Sequence, residues 1–187
     1  MRPIVTDALI IVLLPFVVFI AGARLMAAWT GREHVTTRLQ QHAAAGDRTP
    51  LNQRLRYDAA SAARHWGALD RDALAAERQF LELDLVFPFF YGAAFAVSLL
   101  LGAGLVAPSA SRAWFIALVA VVVVSDWTEN LLQIGQLQRF VDGGAGALQQ
   151  SWINVASVAT AVKLVSFGGA TVACIGLAAT ALIRLAR

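Results

Sequence analysis

Long charge-poor stretches and one polar stretch divide the chain. The apolar runs are Ala8–Ala23, Leu85–Val106, Ala113–Ser125 and Leu164–Ile183. A helix crossing roughly 30 Å of hydrocarbon needs about 20 residues. The second and fourth runs reach that length alone. The first and third reach it only if Arg24, and Asp126 with Glu129, enter the membrane region. The pattern predicts transmembrane helices near 7–29, 84–106, 112–135 and 152–184, in one membrane domain over 1–187. Arg2, the apolar run and Ala21-Gly22-Ala23 imitate a secretory signal, but we take this segment as a retained first helix.

Residues 30–80 are the polar stretch, with eight of the fourteen arginines and all three histidines, His34, His42 and His65. Thr49-Pro50 predicts a helix start, and Leu51, Leu55, Ala59, Ala62, Trp66 and Leu69 follow at helical spacing. Gly67 is expected to end that helix. Asp70 is expected to cap another that runs on into the second transmembrane helix. The expectation is one or two amphipathic helices on the bundle or at the membrane surface. The connections Ala107–Ser111 and Val141–Gln150 are short, which favours an antiparallel up-down order. The predicted class is therefore all-α, an antiparallel four-transmembrane-helix bundle with a helical polar segment between helices one and two.

Composition supports the membrane class: 58% of the 187 residues are hydrophobic and 14% charged. A net charge of +3 is too small to imply a nucleic-acid partner, and without a basic tract interleaved with aromatics none is expected. The single cysteine, Cys174, cannot form an intrachain disulfide, and its apolar surroundings predict buried packing. Arginine density on the tails and the short loop favours cytoplasmic termini, while the raw arginine count favours a cytoplasmic long loop; the expectation taken is cytoplasmic termini, which for a bacterial protein means the inner membrane.

Charges inside the apolar runs carry the chemistry. With a rise of 1.5 Å per residue, Asp126 lies about 21 Å and Glu129 about 25 Å from Arg112. The same arithmetic places Lys163 about 31 Å from Arg184, Asp84 about 33 Å from Val106 and Arg24 about 25 Å from residue 7. All four helices thus bring an ionisable group to the side of the polar segment. Asp126, Glu129, Asn130 and Gln133 share an arc of about 100°. Asp84, Pro88, Tyr91 and Ser98 share a face of the second helix, where Pro88 deprives the Asp84 carbonyl of its helical N–H. Thr160 and Lys163 are the inward pair of the fourth.

The candidate pocket is therefore Asp84, Tyr91, Asp126, Glu129, Asn130, Thr160 and Lys163, with Arg24 as a further ion-pair partner. Buried charges need partners, so Lys163 and Arg24 are expected to pair with the acids. The plainer alternative is that Asp84, Lys163 and Arg24 snorkel to water near helix ends. The carboxylates of Asp84, Asp126 and Glu129 also suit Mg²⁺ or Ca²⁺, the hard cations. No histidine or cysteine lies at this level, which disfavours zinc or haem. Neither a P-loop nor a nucleophile elbow occurs, so no catalytic residue is assigned.

Leu83-Asp84-Leu85-Val86-Phe87-Pro88-Phe89-Phe90-Tyr91-Gly92, Asp126-Trp127-Thr128-Glu129-Asn130 and Thr160-Ala161-Val162-Lys163 resemble an uncharacterised family of small bacterial four-helix membrane proteins. Its motifs are D-x-x-F-P-x-x-Y, D-x-x-E-N and T-x-x-K on successive helices. The resemblance covers helices two to four and brings no activity. It implies that Asp84, Asp126, Glu129, Asn130 and Lys163 belong together.

Two function classes follow. In one, an intramembrane pocket binds or passes a proton, a cation or an amphipathic, lipid-like solute. In the other, the chain is a scaffold or accessory subunit, with a membrane-protein partner or a second copy, and its buried charges are structural. A metal-assisted lipid-modifying enzyme is a third, weaker reading. In each, the lipid bilayer is the surrounding partner.

Overall fold

The computed structural model describes residues 2–43, 48–106 and 112–185. All secondary structure among them is helical. In chain order the helices are α1 (Arg2–Thr30), α2 (Arg32–His42), α3 (Ala59–Gly67), α4 (Arg71–Leu83), α5 (Phe87–Val106), α6 (Ala113–Gly143) and α7 (Gln150–Leu185), with short 3₁₀ turns at Leu51–Gln53 and Ala145–Ala147. Helices α1, α5, α6 and α7 are long and apolar enough to cross a membrane. Their outer faces carry Leu9, Leu13, Val17, Val97, Val158, Val165 and Val172, all exposed. An apolar surface that continuous is stable against lipid and unfavourable against water. The predicted Ala107–Ser111 turn lies outside the described residues.

Length separates two regions. α6 has 31 residues and α7 has 36, or about 46 and 54 Å of helix. Both exceed an apolar slab of about 30 Å. Away from the 30–80 segment, Ile11, Phe95, Leu99, Val122, Ala170 and Cys174 form one buried core. Where α6 ends and α7 begins, Leu137, Ile153 and Ala156 join a second core with Val35, Leu39, Leu51, Ala62, Trp66 and Ala73. Cys174 is free and buried, as its surroundings predict.

The 30–80 segment is thus a cap packed on the bundle, one of the two expected placements, but made of three helices that share a core with α6 and α7. Gly31 turns the chain out of α1 at φ 68°, a conformation that costs a glycine little. The helix expected from Pro50 does not form. Leu51–Gln53 is a single 3₁₀ turn, Leu55 is exposed, and α3 begins only after Asp58. Asp58 and Ser61 make a reciprocal capping box: Ser61 N donates to Asp58 Oδ1 at 2.7 Å and Asp58 N to Ser61 Oγ at 2.9 Å. The Ser61 hydroxyl, which donates to Asp58 Oδ1 at 2.6 Å, and then the Ser61 N–H hold the Asp58 carboxyl below its usual range. As expected, α3 ends at Gly67 and Asp70 caps α4 through Ala73 N at 2.9 Å. Arg38 of α2 pairs with the same Asp70.

α4 does not run on into α5. Residues 84–86 form a turn, and α5 starts at Phe87, immediately before Pro88. Proline has no N–H for the preceding turn and disfavours a helical residue before it. Glycines set the spacing of α5 against its neighbours. A Cβ on Gly92 would lie 2.7 Å from Val123 Cγ2 of α6, and one on Gly102 would lie 2.9 Å from Leu177 Cβ of α7.

Candidate functional site

Between the two cores lies a polar layer contributed by α4–α7 and the cap. Asp126, Glu129, Asn130 and Gln133 sit at positions 0, 3, 4 and 7 of one α6 face, and all four are buried. Lys163 of α7 reaches between two of them. Its Nζ lies 3.1 Å from Asp126 Oδ1 and also pairs with Glu129 Oε2. Only 11% of the Lys163 side chain, 5% of Asp126 and none of Glu129 is exposed. Lys163 therefore does not snorkel. It neutralises two acids in a dehydrated layer.

Hydrogen bonds orient both carboxylates. Tyr91 of α5 donates its hydroxyl to Asp126 Oδ2 at 2.6 Å, and Asn130 Nδ2 donates to Asp126 Oδ1 at 3.2 Å. Gln133 Nε2 donates to Glu129 Oε1 at 2.9 Å and to the Tyr57 hydroxyl at 2.9 Å. Tyr57 comes from the cap and lies 3.4 Å from Thr160 Oγ1. Its backbone N–H also donates to Ser157 Oγ of α7 at 2.9 Å. Burial pushes the Tyr57 phenol up to about 12, against the lowering effect of Thr160 and Gln133, so it stays a neutral hydroxyl. Thr160 donates to the Ala156 carbonyl at 3.0 Å.

The α4–α5 break belongs to the same layer. The carbonyl of Asp84, four residues before Pro88, accepts Asn130 Nδ2 at 3.0 Å. The next carbonyl, Leu85, accepts Trp127 Nε1 at 2.8 Å. Two α6 side chains thus supply donors where the chain between α4 and α5 leaves the helix.

Asp84 itself differs from the other acids. It is 6% exposed, yet its carboxylate makes no hydrogen bond or ion pair among the described residues. It lines a cavity of about 360 Å³ whose polar lining also includes Asp126, Lys163, Arg32, Asn52 and Gln53. Phe19, Ala23 and Met26 of α1, Phe87 and Tyr91 of α5, and Leu164 and Phe167 of α7 make the apolar walls. Phe167 packs edge-on against Tyr91 at 5.9 Å and against Phe95 at 4.9 Å.

Arg24 is not part of this layer. It is exposed, and no ion pair reaches it among the described residues. Depth along α1 was right for such a pair, but its angle around the helix points the side chain outward. The arginine in that place is Arg32, the first residue of α2. Its Nε lies 3.5 Å from Glu77 Oε2, its Nη2 donates to Asn52 Oδ1 at 3.0 Å, and its guanidinium lies 3.5 Å over the Phe80 ring. His65 Nε2 lies 3.9 Å from Glu77 Oε1. Burial works to raise Glu77, but Arg32 and His65 outweigh it and hold the carboxyl below its usual range.

Sequence reasoning missed Arg32, Glu77, His65 and Tyr57. A signal existed for Glu77, which occupies the apolar stripe Ala73, Ala76, Phe80, Leu81 of α4. A charge inside such a stripe needs a partner from another element. Arg32 likewise falls on the stripe of Val35 and Leu39. Tyr57 precedes α3 in an irregular stretch, where no periodicity points to it.

The acids do not assemble a metal cage. Among the described residues no group of three His, Cys, Asp or Glu is placed to hold an ion. Asp126 and Glu129 instead converge on the ammonium of Lys163, in the position a bridging cation would take. Compared with family models, with curated proteins and with solved structures, the chain matches none.

Proposed function

We propose that this is an integral membrane protein, an antiparallel bundle of α1, α5, α6 and α7 in a bacterial inner membrane, whose chamber binds or passes a cation or a cation-headed amphipathic solute. The observation that carries the reading is Asp84, a buried carboxylate without a partner on the wall of a cavity. Four buried acids, Asp84, Asp126, Glu129 and Glu77, share two basic side chains, Lys163 and Arg32, with His65 beside Glu77. A surplus of buried negative charge is costly unless a proton or cation offsets it. Lys163 is spent on Asp126 and Glu129, and Arg32 on Glu77. Asp84 is the acid left for a solute.

The test uses the whole chain in lipid nanodiscs, with tetramethylammonium as the probe. Occupancy stabilises by RT ln(1 + [L]/Kd), about 2.7 kcal/mol at a hundredfold excess over Kd. The wild type is expected to melt later in its presence, and Asp84→Asn is expected to lose that response. A wild type indifferent to the cation would leave the scaffold reading. That second reading has its own support, since the Lys163, Asp126 and Glu129 network is closed by Tyr91, Asn130 and Gln133 and locks helix register.

A further inference from the structure

A second cavity adjoins the chamber. It has a volume of about 390 Å³, runs between α1 and α5, and is lined by Val18, Gly22, Leu25, Trp29, Val86 and Phe90. Met26 and Phe87 line both cavities. They form the partition between a polar-floored chamber and a groove open on the apolar outer face, where Leu25 and Phe90 are 66% and 61% exposed. The Phe87 ring packs in the place of the side chain that α1 lacks at Gly22. A Cβ there would lie 2.1 Å from Phe87 Cε2.

We propose that the ligand is a long-chain ammonium amphiphile, its head in the chamber against Asp84 and its chain in the α1–α5 groove, entering sideways from the bilayer past Met26 and Phe87. The proposal rests on the reading of the chamber as a cation site. Charge selects the head. An anionic group would meet Asp84 and Asp126, while both nearby cations already hold carboxylates. The rings of Phe19, Phe87, Tyr91 and Phe167 suit a weakly hydrated ammonium, which aromatic faces attract. Arg32 already stacks a cation on Phe80 in the same lining, a contact of the same kind. Continuity selects the tail and the route. Asn52, Gln53 and Arg32 bring the cap over the chamber, whereas the groove has an apolar lining throughout and meets the bilayer directly.

The experiment reconstitutes the full chain in nanodiscs with a dodecyltrimethylammonium analogue bearing a mid-chain diazirine. Illumination is expected to label α1 and α5 at Val18, Leu25 or Phe90, in competition with unlabelled dodecyltrimethylammonium. Asp84→Asn conserves shape and removes the counter-charge, so saturable labelling should fall tenfold or more. Leu25→Trp fills the groove from its exposed side and should also reduce labelling. Equal labelling of wild type and Asp84→Asn would make the groove an ordinary lipid contact and overturn the proposal. Labelling confined to Phe167 or the cap, and indifferent to Leu25→Trp, would overturn the lateral route while the response to tetramethylammonium persisted. If tetramethylammonium leaves wild-type melting unmoved, the cation site falls first and the proposal with it.

Discussion

Replacing Lys163 by methionine nearly keeps the length of the side chain and removes the only cation among the described residues that touches Asp126 and Glu129. Both acids remain buried, 5% and 0% exposed, and at least one carboxylate is left without its counter-charge. Removing one partner of a buried pair costs about 3–5 kcal/mol. For a chain of this size each kcal/mol moves Tm by roughly 2–4 °C, so the single variant should melt on the order of 10 °C lower. Glu129→Gln in the same chain removes one stranded charge, and the new amide can still meet Gln133. Asp126 keeps the Tyr91 hydroxyl and Asn130 in either background. The double variant should therefore recover part of the loss, with a coupling of about 0.5–3 kcal/mol, as expected for side chains in one network. Far-UV circular dichroism of the four proteins in one detergent measures the cycle. Losses that add, within about 0.5 kcal/mol, would mean that Lys163 does not neutralise Glu129, and the account of the polar layer would be wrong.

Other expectations follow from the same structure. Reporter fusions after Arg112 and at the C-terminus should fall on one side of the membrane, and a fusion within residues 40–50 on the other; an odd number of crossings would refute the four-span reading. Asn130→Leu strips the donor from the buried Asp84 carbonyl and should cost about 2–3 kcal/mol. Pro88→Ala returns an N–H near that carbonyl, so the Asn130→Leu loss should shrink in that background; an undiminished loss in chemical denaturation would show that Pro88 does not create the vacancy. Asp58→Ala removes the α3 capping box and should cost about 1 kcal/mol at neutral pH. Because the folded carboxyl lies below its ordinary value of 3.8, this contribution is full above that value and lost as the pH falls through the lower folded one. Wild type and Asp58→Ala should therefore converge in strongly acidic melts, and a difference that grew with acid would reverse the sign.

Hydropathy along the chain is a one-dimensional property, and it determines the four long helices directly. Any run of about 20 apolar residues must satisfy its backbone internally and present its side chains to oil. Helical spacing places Asp126, Glu129, Asn130 and Gln133 on one face, and the counts to the helix ends bring Lys163 to their level. The local rules for Gly67 as a stop and Asp70 as a cap also act within a few residues, whereas the sequence pattern carries α4 on into α5 and the break before Pro88 appears only in the structure. Arg24 shows where that reasoning stops. Depth follows from counting residues, but whether a side chain faces the bundle depends on how its helix is rotated against its neighbours, and α1 turns Arg24 outward. The cap is a tertiary outcome for a similar reason. α2, α3 and α4 are short and polar, and they pack where α6 ends and α7 begins, against Leu137, Ile153 and Ala156. Tyr57, Arg32 and Glu77 enter the site through that packing, across sequence separations no periodicity spans. The Asp84 vacancy arises there as well: whether a buried acid finds a cation is settled only when every neighbouring helix is in place, and here Lys163 and Arg32 are both taken by other carboxylates.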